Sequence, residues 1–420
     1  MPQSAAAQII PMVAAAFFIR LLFVAVVAHS LPNPAGNFEQ FGWEMGWVSR
    51  SIAMGRGFSS PFFPPTGPTA LVPPMFPYLL AAIFRIFGVY SLLSGVAILS
   101  LNALFSALTC IPIYLIARRA TGARCARLAG WAWVIYPFSI YYSTQVWDYA
   151  LTALLFTTCL CILQRLHATQ RGLVWIGFGA LCGFTALCNP SVLTILPLLF
   201  LAVLVKRFGA GSPWLLEAAL ATAAMLAVLA PWTIRNYRVM HVPAPVRDNY
   251  WLELWAGNTG DTFESNPAWT HPASDPDQMR QFQSLGETAY LATKRQMALN
   301  FVAHRPLFFA ELSLRRAFRF WTGFWSFDAR YLKKESLDVP NLFFCSGVTF
   351  FMLRGARRFW RRDRLVALPF LALLALFPVT YYLSHSSMDY RQPVEPEIII
   401  LVSMGILGPG RPIIRTGDIR

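Results

Sequence analysis

Apolar runs of about 20 residues recur from one end of the chain to the other, and they restrict the fold more than any other feature. A helical run of this length spans the hydrocarbon layer of a bilayer, because a helix rises about 1.5 Å per residue. Charged residues make up only 13% of the 420 residues, whereas a soluble domain carries about 25%. The chain is therefore predicted to be an all-α polytopic membrane protein with about ten transmembrane helices.

The apolar runs divide the chain into three regions. The predicted spans are 9–29, 91–117, 128–142, 149–165, 173–188, 191–205, 214–231, 342–353, 365–383 and 394–407. We expect a transmembrane module over 1–230, with a first exported loop at 30–90. A long exported loop follows at 231–340; it begins with a β-like or irregular unit and ends in a basic, aromatic interfacial helix at 306–327. Residues 341–420 form the last spans and a cytoplasmic tail.

The distribution of basic residues sets the predicted orientation. The formal net charge is +15, but many Lys and Arg residues fall in short segments between spans, as the positive-inside rule requires of cytoplasmic loops. Ten spans and a basic tail put both termini in the cytoplasm of a plasma (inner) membrane. We expect no nucleic-acid partner, because these residues form no groove-sized stripe. The seven cysteines lie in or beside apolar segments, so no disulfide framework and no zinc site is expected.

The first exported loop has helical periodicity of its own. Phe41, Met45, Val48 and Ile52 recur at helical spacing and form one narrow apolar face, with Glu44 at its flank. Such a helix lies in the membrane interface instead of crossing the bilayer. A second interfacial helix is predicted at 77–87. The loop is therefore expected to hold a carboxylate at the level of the lipid headgroups.

Acidic residues outside the long loop gather on one side of the membrane. Six of them lie in the first loop or at exported ends of spans: Glu39, Glu44, Asp148, Asp389, Glu395 and Glu397. A carboxylate there could deprotonate or orient a hydroxyl acceptor. Simpler interpretations stay open: Glu44 could face headgroups, Asp148 could cap the fourth span, and Glu39 could be a solvated surface residue.

Cationic and polar residues on the same side could hold a phosphate. The candidates are Arg50, Arg235, Arg391, Tyr390, His385 and the intramembrane Arg20. Arginine neutralises a phosphate through bidentate hydrogen bonds. The alternatives are that Arg235 and Arg391 snorkel at span ends, that Arg20 snorkels or bonds a neighbouring carbonyl, and that His385 and Tyr390 belong to the interfacial belt.

Several short motifs occur in the first loop and at the ends of predicted spans. They are the acidic first-loop window at 41–49 before Ser49-Arg50, the Gly55-Arg56-Gly57-Phe58 turn, Pro73-Pro74-x-x-Pro77-Tyr78, the Phe87-Gly88 end, Asp148, Pro231-Trp232 with Arg235-Asn236, and Tyr390-Arg391-x-Pro393-x-x-Pro396. Together they resemble the motifs of the GT-C superfamily of membrane glycosyltransferases, in particular its protein-mannosyltransferase and aminoarabinose-transferase branch. The family usually has an Asp near Phe41 or Gly42. This chain has none there, which leaves Glu44 or Glu39 to replace it.

The resemblance implies a sugar transfer on the exported face. The donor would be a polyprenyl-phosphate-linked sugar, and the acceptor a lipid, a glycan or a protein. Glu44 would act as base with Asp148 assisting, the arginines would surround the donor phosphate, and no metal or other cofactor is required by any visible motif. Two rivals remain: a transporter or flippase of a lipid-linked sugar, although no repeat is visible, and a non-catalytic scaffold subunit.

Overall fold

Helices make up the frame of the molecule. The computed structural model describes residues 5–28, 41–259, 270–323 and 338–408, and within these ranges no β-strand is present. The first helices are α1 (Ala5–Ala28), α2 (Trp43–Ala53), α3 (Met75–Phe87), α4 (Leu92–Leu108), α5 (Cys110–Ala120), α6 (Ala123–Ile135), α7 (Pro137–Ser143), α8 (Tyr149–Leu166), α9 (Gly172–Cys188), α10 (Leu196–Gly209) and α11 (Leu215–Met240). A 3₁₀ helix, Pro190–Thr194, joins α9 to α10.

The second part of the chain adds short helices and then returns to apolar ones. It comprises α12 (Tyr250–Ala256), α13 (Pro276–Leu285), α14 (Glu287–His304), α15 (Pro306–Thr322), α16 (Asp338–Arg362), α17 (Arg364–Leu376), α18 (Val379–Leu383), a 3₁₀ helix (Met388–Val394) and α19 (Glu395–Leu407). Helices α12 to α14 share an apolar core with the first loop, to which Phe62 and Leu71 contribute. The segment between α11 and α15 is thus packed on the first loop.

Five helical stretches in the described ranges are long and apolar enough to cross a membrane. They are Ala5–Ala28, Leu92–Ala120, Tyr149–Leu166, Leu215–Met240 and Arg364–Leu383. The prediction of an all-α, multi-pass membrane protein is confirmed. The number of ten spans stays a prediction, because other apolar helices such as Gly172–Cys188 are shorter than the roughly 20 residues of a full crossing.

Small residues allow the closest helix pairs to approach. A Cβ atom at position 179 of α9 would lie 1.9 Å from the carbonyl oxygen of Ala221 in α11. A Cβ at position 355 of α16 would lie 1.9 Å from the carbonyl oxygen of Leu401 in α19. Glycine at these positions lets the backbones touch, which is how transmembrane helices gain packing contacts when lipid is the alternative neighbour.

Two expectations about the start of the long loop differ from the structure. The span predicted to end at Pro231 continues as α11 to Met240, since a proline is tolerated within a transmembrane helix. The unit predicted to be β-like or irregular contains helix α12. There Asn249 Nδ2 donates to Glu253 Oε1 at 2.8 Å, four residues on, a spacing that places both on one helix face.

Candidate active site

Helix α2 presents its apolar face to the protein and its acidic flank to a cavity. Phe41, Met45, Val48 and Ile52 are all buried, as their spacing predicted. Glu44 lies in the first turn of α2, at the edge of this face and half-buried. The periodicity of the first loop therefore predicted both the helix and the position of its carboxylate.

The start of α2 is packed on the turn that precedes α8. Gly42 has a φ of 91°, a left-handed conformation that favours glycine. A Cβ at this position would lie 2.6 Å from the carbonyl oxygen of Val146. This contact brings Glu44 and Asp148 toward each other, although they lie about 100 residues apart in the chain.

Glu44 and Asp148 line one cavity of about 300 Å³. Its wall is formed by the first loop, the start of α8, the α9–α10 connection, the segment around α12 and the residues after α18. The other polar or aromatic side chains on the wall include Trp147, Tyr149, Asn189, Arg247, Asn249, Tyr250, Glu253, His271, His385, Asp389 and Tyr390. The sequence-predicted residues Glu44, Asp148, His385 and Tyr390 are therefore brought together.

Asp148 is held by hydrogen bonds to its carboxylate. Its Oδ2 accepts from Thr152 Oγ1 at 2.7 Å and from Asn189 Nδ2 at 3.3 Å. It precedes α8, but its side chain accepts no hydrogen bond from the first amides of that helix. Burial raises the pKa of Asp148 to about 6, although the Thr152 hydrogen bond and the charge of Arg247 oppose that rise. The carboxylate is thus directed to the cavity instead of capping α8.

Glu44 faces an imidazole supplied by the long loop. Glu44 Oε1 lies 3.6 Å from His271 Nε2. The amide of Ala273 donates to His271 Nδ1 at 3.3 Å, so the proton of the neutral ring is on Nε2 and faces Glu44. Burial raises the pKa of Glu44 to about 7 and lowers the pKa of His271. The arrangement gives a carboxyl that changes charge near neutral pH beside a neutral imidazole donor.

A second carboxylate–imidazole pair lies on the same wall. Glu253 Oε2 is 3.5 Å from His385 Nδ1, and the Tyr390 hydroxyl is 2.6 Å from His385 Nε2. Burial lowers the pKa of His385 to about 4 and raises the pKa of Glu253 above its usual value. Near pH 7 both cavity imidazoles are neutral, so they reduce the negative charge of the wall very little.

Among the described residues that line the cavity, Arg247 is the only Lys or Arg. It is half-buried and makes no hydrogen bond or ion pair with another described residue. Its charge lowers the pKa of Asp148 and of Glu253, which shows that it lies near both carboxylates. A guanidinium with free donors can bind an anion bidentately.

Arg20, one of the predicted phosphate ligands, is fully buried among protein groups. It donates to Ser106 Oγ at 2.8 Å, to Ser139 Oγ at 2.6 Å and to the carbonyl oxygens of Trp133 and Val134 at 3.0 and 3.2 Å. It does not line the cavity. Arg20 was interpreted from the sequence either as a phosphate ligand or as a residue that snorkels or bonds a neighbouring carbonyl. The structure agrees with the hydrogen bonds to carbonyl oxygens.

The other three predicted arginines also lie off the cavity wall. Arg235 donates to the carbonyl oxygens of Thr69 and Phe58 at 2.6 and 2.7 Å. Arg391 is fully buried and pairs with Glu395, with Nε and Oε1 2.9 Å apart. Arg50 lies over the ring of Trp47, 5.0 Å from its centre.

Glu39, the remaining predicted acidic residue, lies outside the described residues.

Sequence reasoning missed Arg247, Glu253 and His271, all from the long loop. The Asn249–Glu253 spacing could have indicated helix α12, but no pattern in the sequence shows which wall it joins. Among the described residues, no group of three or more His, Cys, Asp or Glu side chains is arranged to hold a metal ion.

Comparisons with known proteins relate part of this chain to a family. Residues 71–234 match the family model described as dolichyl-phosphate-mannose-protein mannosyltransferase. A comparison with curated proteins finds no match. One similar solved structure is the archaeal oligosaccharyltransferase AglB from Archaeoglobus fulgidus in complex with an inhibitory peptide and a dolichol-phosphate (13% identity, TM-score 0.49, 93% of this chain and 50% of that chain).

A second similar structure is ArnT from Cupriavidus metallidurans bound to undecaprenyl phosphate (16% identity, TM-score 0.42, 96% of this chain and 78% of that chain). The chain spans about half the length of the oligosaccharyltransferase. The family match over residues 71–234 contains the second half of the first-loop motifs, Asp148 and Pro231-Trp232. By this match residues 71–234, less than half of the chain, are similar to the protein-mannosyltransferase family.

Proposed function

We propose that this chain is a membrane glycosyltransferase that moves a sugar from a polyprenyl-phosphate carrier to a lipid, glycan or protein acceptor on the exported side of the plasma membrane. The proposal rests on one observation: Glu44 and Asp148 line the same cavity, together with the cation Arg247. The description of the matching family names a dolichyl-phosphate sugar, which supports this class of donor.

The cavity supplies groups for a direct displacement. The acceptor hydroxyl would lose its proton to a carboxylate as its oxygen bonds to the anomeric carbon. The bond from that carbon to the phosphate oxygen breaks, and its electron pair leaves with the carrier phosphate. A single displacement of this kind inverts the configuration at the sugar carbon.

Glu44 is the better base of the two carboxylates. A base works best when its pKa lies near the operating pH, and burial raises the pKa of Glu44 to about 7. The Nε2–H group of His271 faces the Glu44 carboxyl, with 3.6 Å between Nε2 and Oε1, beyond hydrogen-bond distance. Asp148, fixed by Thr152 and Asn189, is suited to hold the acceptor hydroxyl.

Arg247 is the proposed ligand of the carrier phosphate. Its guanidinium lines the cavity and is free of hydrogen bonds to other described residues, whereas Arg20 and Arg235 donate to protein carbonyls. A phosphate would gain charge-assisted hydrogen bonds from Arg247 as negative charge develops on the leaving group. Tyr390 and His385 also line the cavity wall, and we propose that they contact the sugar-donor lipid.

Transfer by carboxylate variants tests the proposal. Membranes containing the chain are supplied with undecaprenyl phosphate that carries a radiolabelled sugar, and incorporation into lipid, glycan and protein fractions is measured. We expect Glu44→Gln to reduce transfer by about 10²–10⁴-fold, the usual contribution of a general base, and Asp148→Asn to reduce it as well. Glu311→Gln is the matched control, because Glu311 pairs with Arg315 on the surface of α15.

The outcomes separate the rivals. Full transfer by both Glu44→Gln and Asp148→Asn would overturn the proposed mechanism. Movement of the labelled lipid across vesicles without covalent transfer would instead identify a transporter, and binding without turnover would identify a scaffold subunit.

The proposed phosphate contact of Arg247 has a separate test. Arg247→Gln should raise the Kd for undecaprenyl phosphate about tenfold or more. Arg280→Gln, on the exposed face of α13, is the control and should leave this Kd unchanged.

A further inference from the structure

A two-residue segment of the first loop, Thr69-Ala70, is held from three directions. Both residues are fully buried and have no regular secondary structure. Thr69 Oγ1 donates to Glu287 Oε2 at 2.5 Å, and the Ala70 amide donates to Glu287 Oε1 at 2.6 Å. Arg235 Nη1 donates to the Thr69 carbonyl oxygen at 2.6 Å, and the Asp248 amide donates to the Ala70 carbonyl oxygen at 3.1 Å.

The Thr69-Ala70 segment lies between two parts of the cavity wall. The three residues that follow it, 71–73, line the cavity directly. Its partner Asp248 is flanked by Arg247 and Asn249, which also line the cavity. A displacement of Thr69-Ala70 would therefore move the apolar wall of the first loop and the cation Arg247 together.

We propose that Glu287 is a positioning residue for the sugar transfer: through Thr69 and Ala70 it sets the cavity wall at 71–73 and, through Asp248, the position of Arg247. The expected effect of Glu287 on sugar transfer rests on the proposed function. Glu287 itself does not line the cavity, so it acts only through these contacts.

The chemistry of the contact favours a role in setting geometry over simple stabilisation. Glu287 is a buried carboxyl at the first residue of α14, and Asp248 lies close enough to disfavour its ionised form. A buried carboxyl beside a second, half-buried one is costly, and apolar packing alone would stabilise the loop at lower cost. The Glu287 carboxyl instead accepts two directional hydrogen bonds from adjacent residues of an irregular segment. One comes from the Ala70 amide and the other from the Thr69 hydroxyl.

The same contact should be sensitive to pH. Burial, and then the charge of Asp248, raise the pKa of Glu287 to about 8, against the opposing effects of its hydrogen bonds and of Arg235. Burial raises the pKa of Asp248 to about 6. Tyr78 is a further titratable group near this contact, because it interacts electrostatically with Arg235. Because the pKa of Glu287 is raised in the folded state, its contribution is present at low pH and is lost as the pH rises through about 8.

Thiol labelling measures the position of the segment without any sugar donor. Val72→Cys places a thiol on the cavity wall at a residue that is 5% exposed. The labelling of the native chain, whose seven cysteines are all buried, is subtracted as background. We expect Glu287→Ala to raise the labelling rate of this thiol and the Kd for undecaprenyl phosphate about tenfold, as for buried donors that lose their partner. Glu287→Gln should restore both, because its amide oxygen accepts from Ala70 N and its NH₂ group can donate to Thr69 Oγ1.

The pH profile separates positioning from general stability. Because the thiolate fraction itself rises with pH, the labelling rate is divided by that of the exposed Ser284→Cys at the same pH. Between pH 7 and 9 this ratio should rise for Val72→Cys with the native Glu287 and stay constant with Glu287→Gln. If Glu287→Ala unfolds, Thr69→Val removes one of the two bonds and should give a smaller rise in labelling. Unchanged labelling with both Glu287→Ala and Thr69→Val would overturn the inference. Absence of sugar transfer by the native chain, with labelling as expected, would contradict only the proposed function.

Discussion

At the scale of single residues, the charge state of Glu44 controls the proposed chemistry. Burial is the main cause that raises the pKa of Glu44 to about 7, and the charge of Glu253 adds to it. The carboxylate is the basic form, so its population grows as the pH rises through 7. Asp148, with a pKa raised to about 6, becomes ionised first.

Transfer should therefore increase with pH. We expect the initial rate with native protein to rise between pH 5 and 8 with an apparent pKa near 7, measured with radiolabelled undecaprenyl-phosphate sugar. Glu44→Gln should lose this rise together with most of the activity. Glu311→Gln, which alters a surface carboxyl, should keep the native profile. A native rate that is constant over this range would contradict the assignment of Glu44 as base.

Arg20 illustrates a residue whose position could be predicted but whose partners could not. Its charge within an apolar run indicated either a bond to protein groups or a cavity ligand, and periodicity could not decide between them. The partners come from α4, α6 and α7, which are distant in sequence. Which carbonyls meet an intramembrane arginine depends on how the helices cross, and the hydrophobic pattern does not specify that.

Substitution of Arg20 should affect stability and leave phosphate binding intact. Arg20→Met would leave the Trp133 and Val134 carbonyl oxygens without this donor, at a cost of about 1–3 kcal/mol for each group that stays unpaired. We expect a lower Tm in detergent and an unchanged Kd for undecaprenyl phosphate in the folded fraction. A large rise in Kd at unchanged Tm would restore the phosphate role to Arg20. Arg280→Met, on the exposed face of α13, is the control.

At the scale of elements, amphipathic periodicity was the most informative signal. The face formed by Phe41, Met45, Val48 and Ile52 predicted α2, and all four are buried. Proline was less reliable: Pro231 was taken as the end of a span, but α11 continues to Met240. A single proline removes one backbone hydrogen bond, and neighbouring helices compensate for that in a membrane protein.

The contact between α2 and the turn before α8 can be tested with two glycines. Gly42 and Gly55 both have positive φ, so alanine brings backbone strain at either position. Only at Gly42 would the new Cβ also meet a neighbour, the Val146 carbonyl oxygen at 2.6 Å; at Gly55 no heavy atom lies within 4 Å. Gly42→Ala should therefore reduce transfer about tenfold more than Gly55→Ala, as a small displacement of a catalytic group does. Equal effects would mean that this contact does not position Glu44.

At the scale of the whole molecule, the sequence predicted the membrane class, the family resemblance that the match over residues 71–234 supports, and two carboxylates of the cavity wall, but not the full composition of that wall. Apolar runs and short motifs depend on neighbouring residues, and they indicate spans and segment ends directly. The approach of α12 and His271 to α2 depends on the fold of the long loop. Arg247 was missed for this reason: nothing in its local sequence distinguishes it from a surface arginine.

The two ends of α8 define the two faces of the molecule. The helix begins after Asp148, at the cavity, and ends at Leu166 beside the basic residue Arg165. Basic residues also lie in the last turns of α5, α10 and α16, at Arg118, Arg207 and Arg362. Basic loops stay on the cytoplasmic side, so the cavity should open on the exported side.

Sidedness can be measured with the same low thiol background, since the seven native cysteines are buried. Ser284→Cys lies on exposed α13, and Gln170→Cys lies in the exposed turn between α8 and α9. In right-side-out vesicles a membrane-impermeant maleimide should modify Ser284→Cys and spare Gln170→Cys, and inside-out vesicles should give the reverse. If Gln170→Cys were modified from outside, the cavity would face the cytoplasm. The donor sugar and the acceptor would then have to be sought in that compartment.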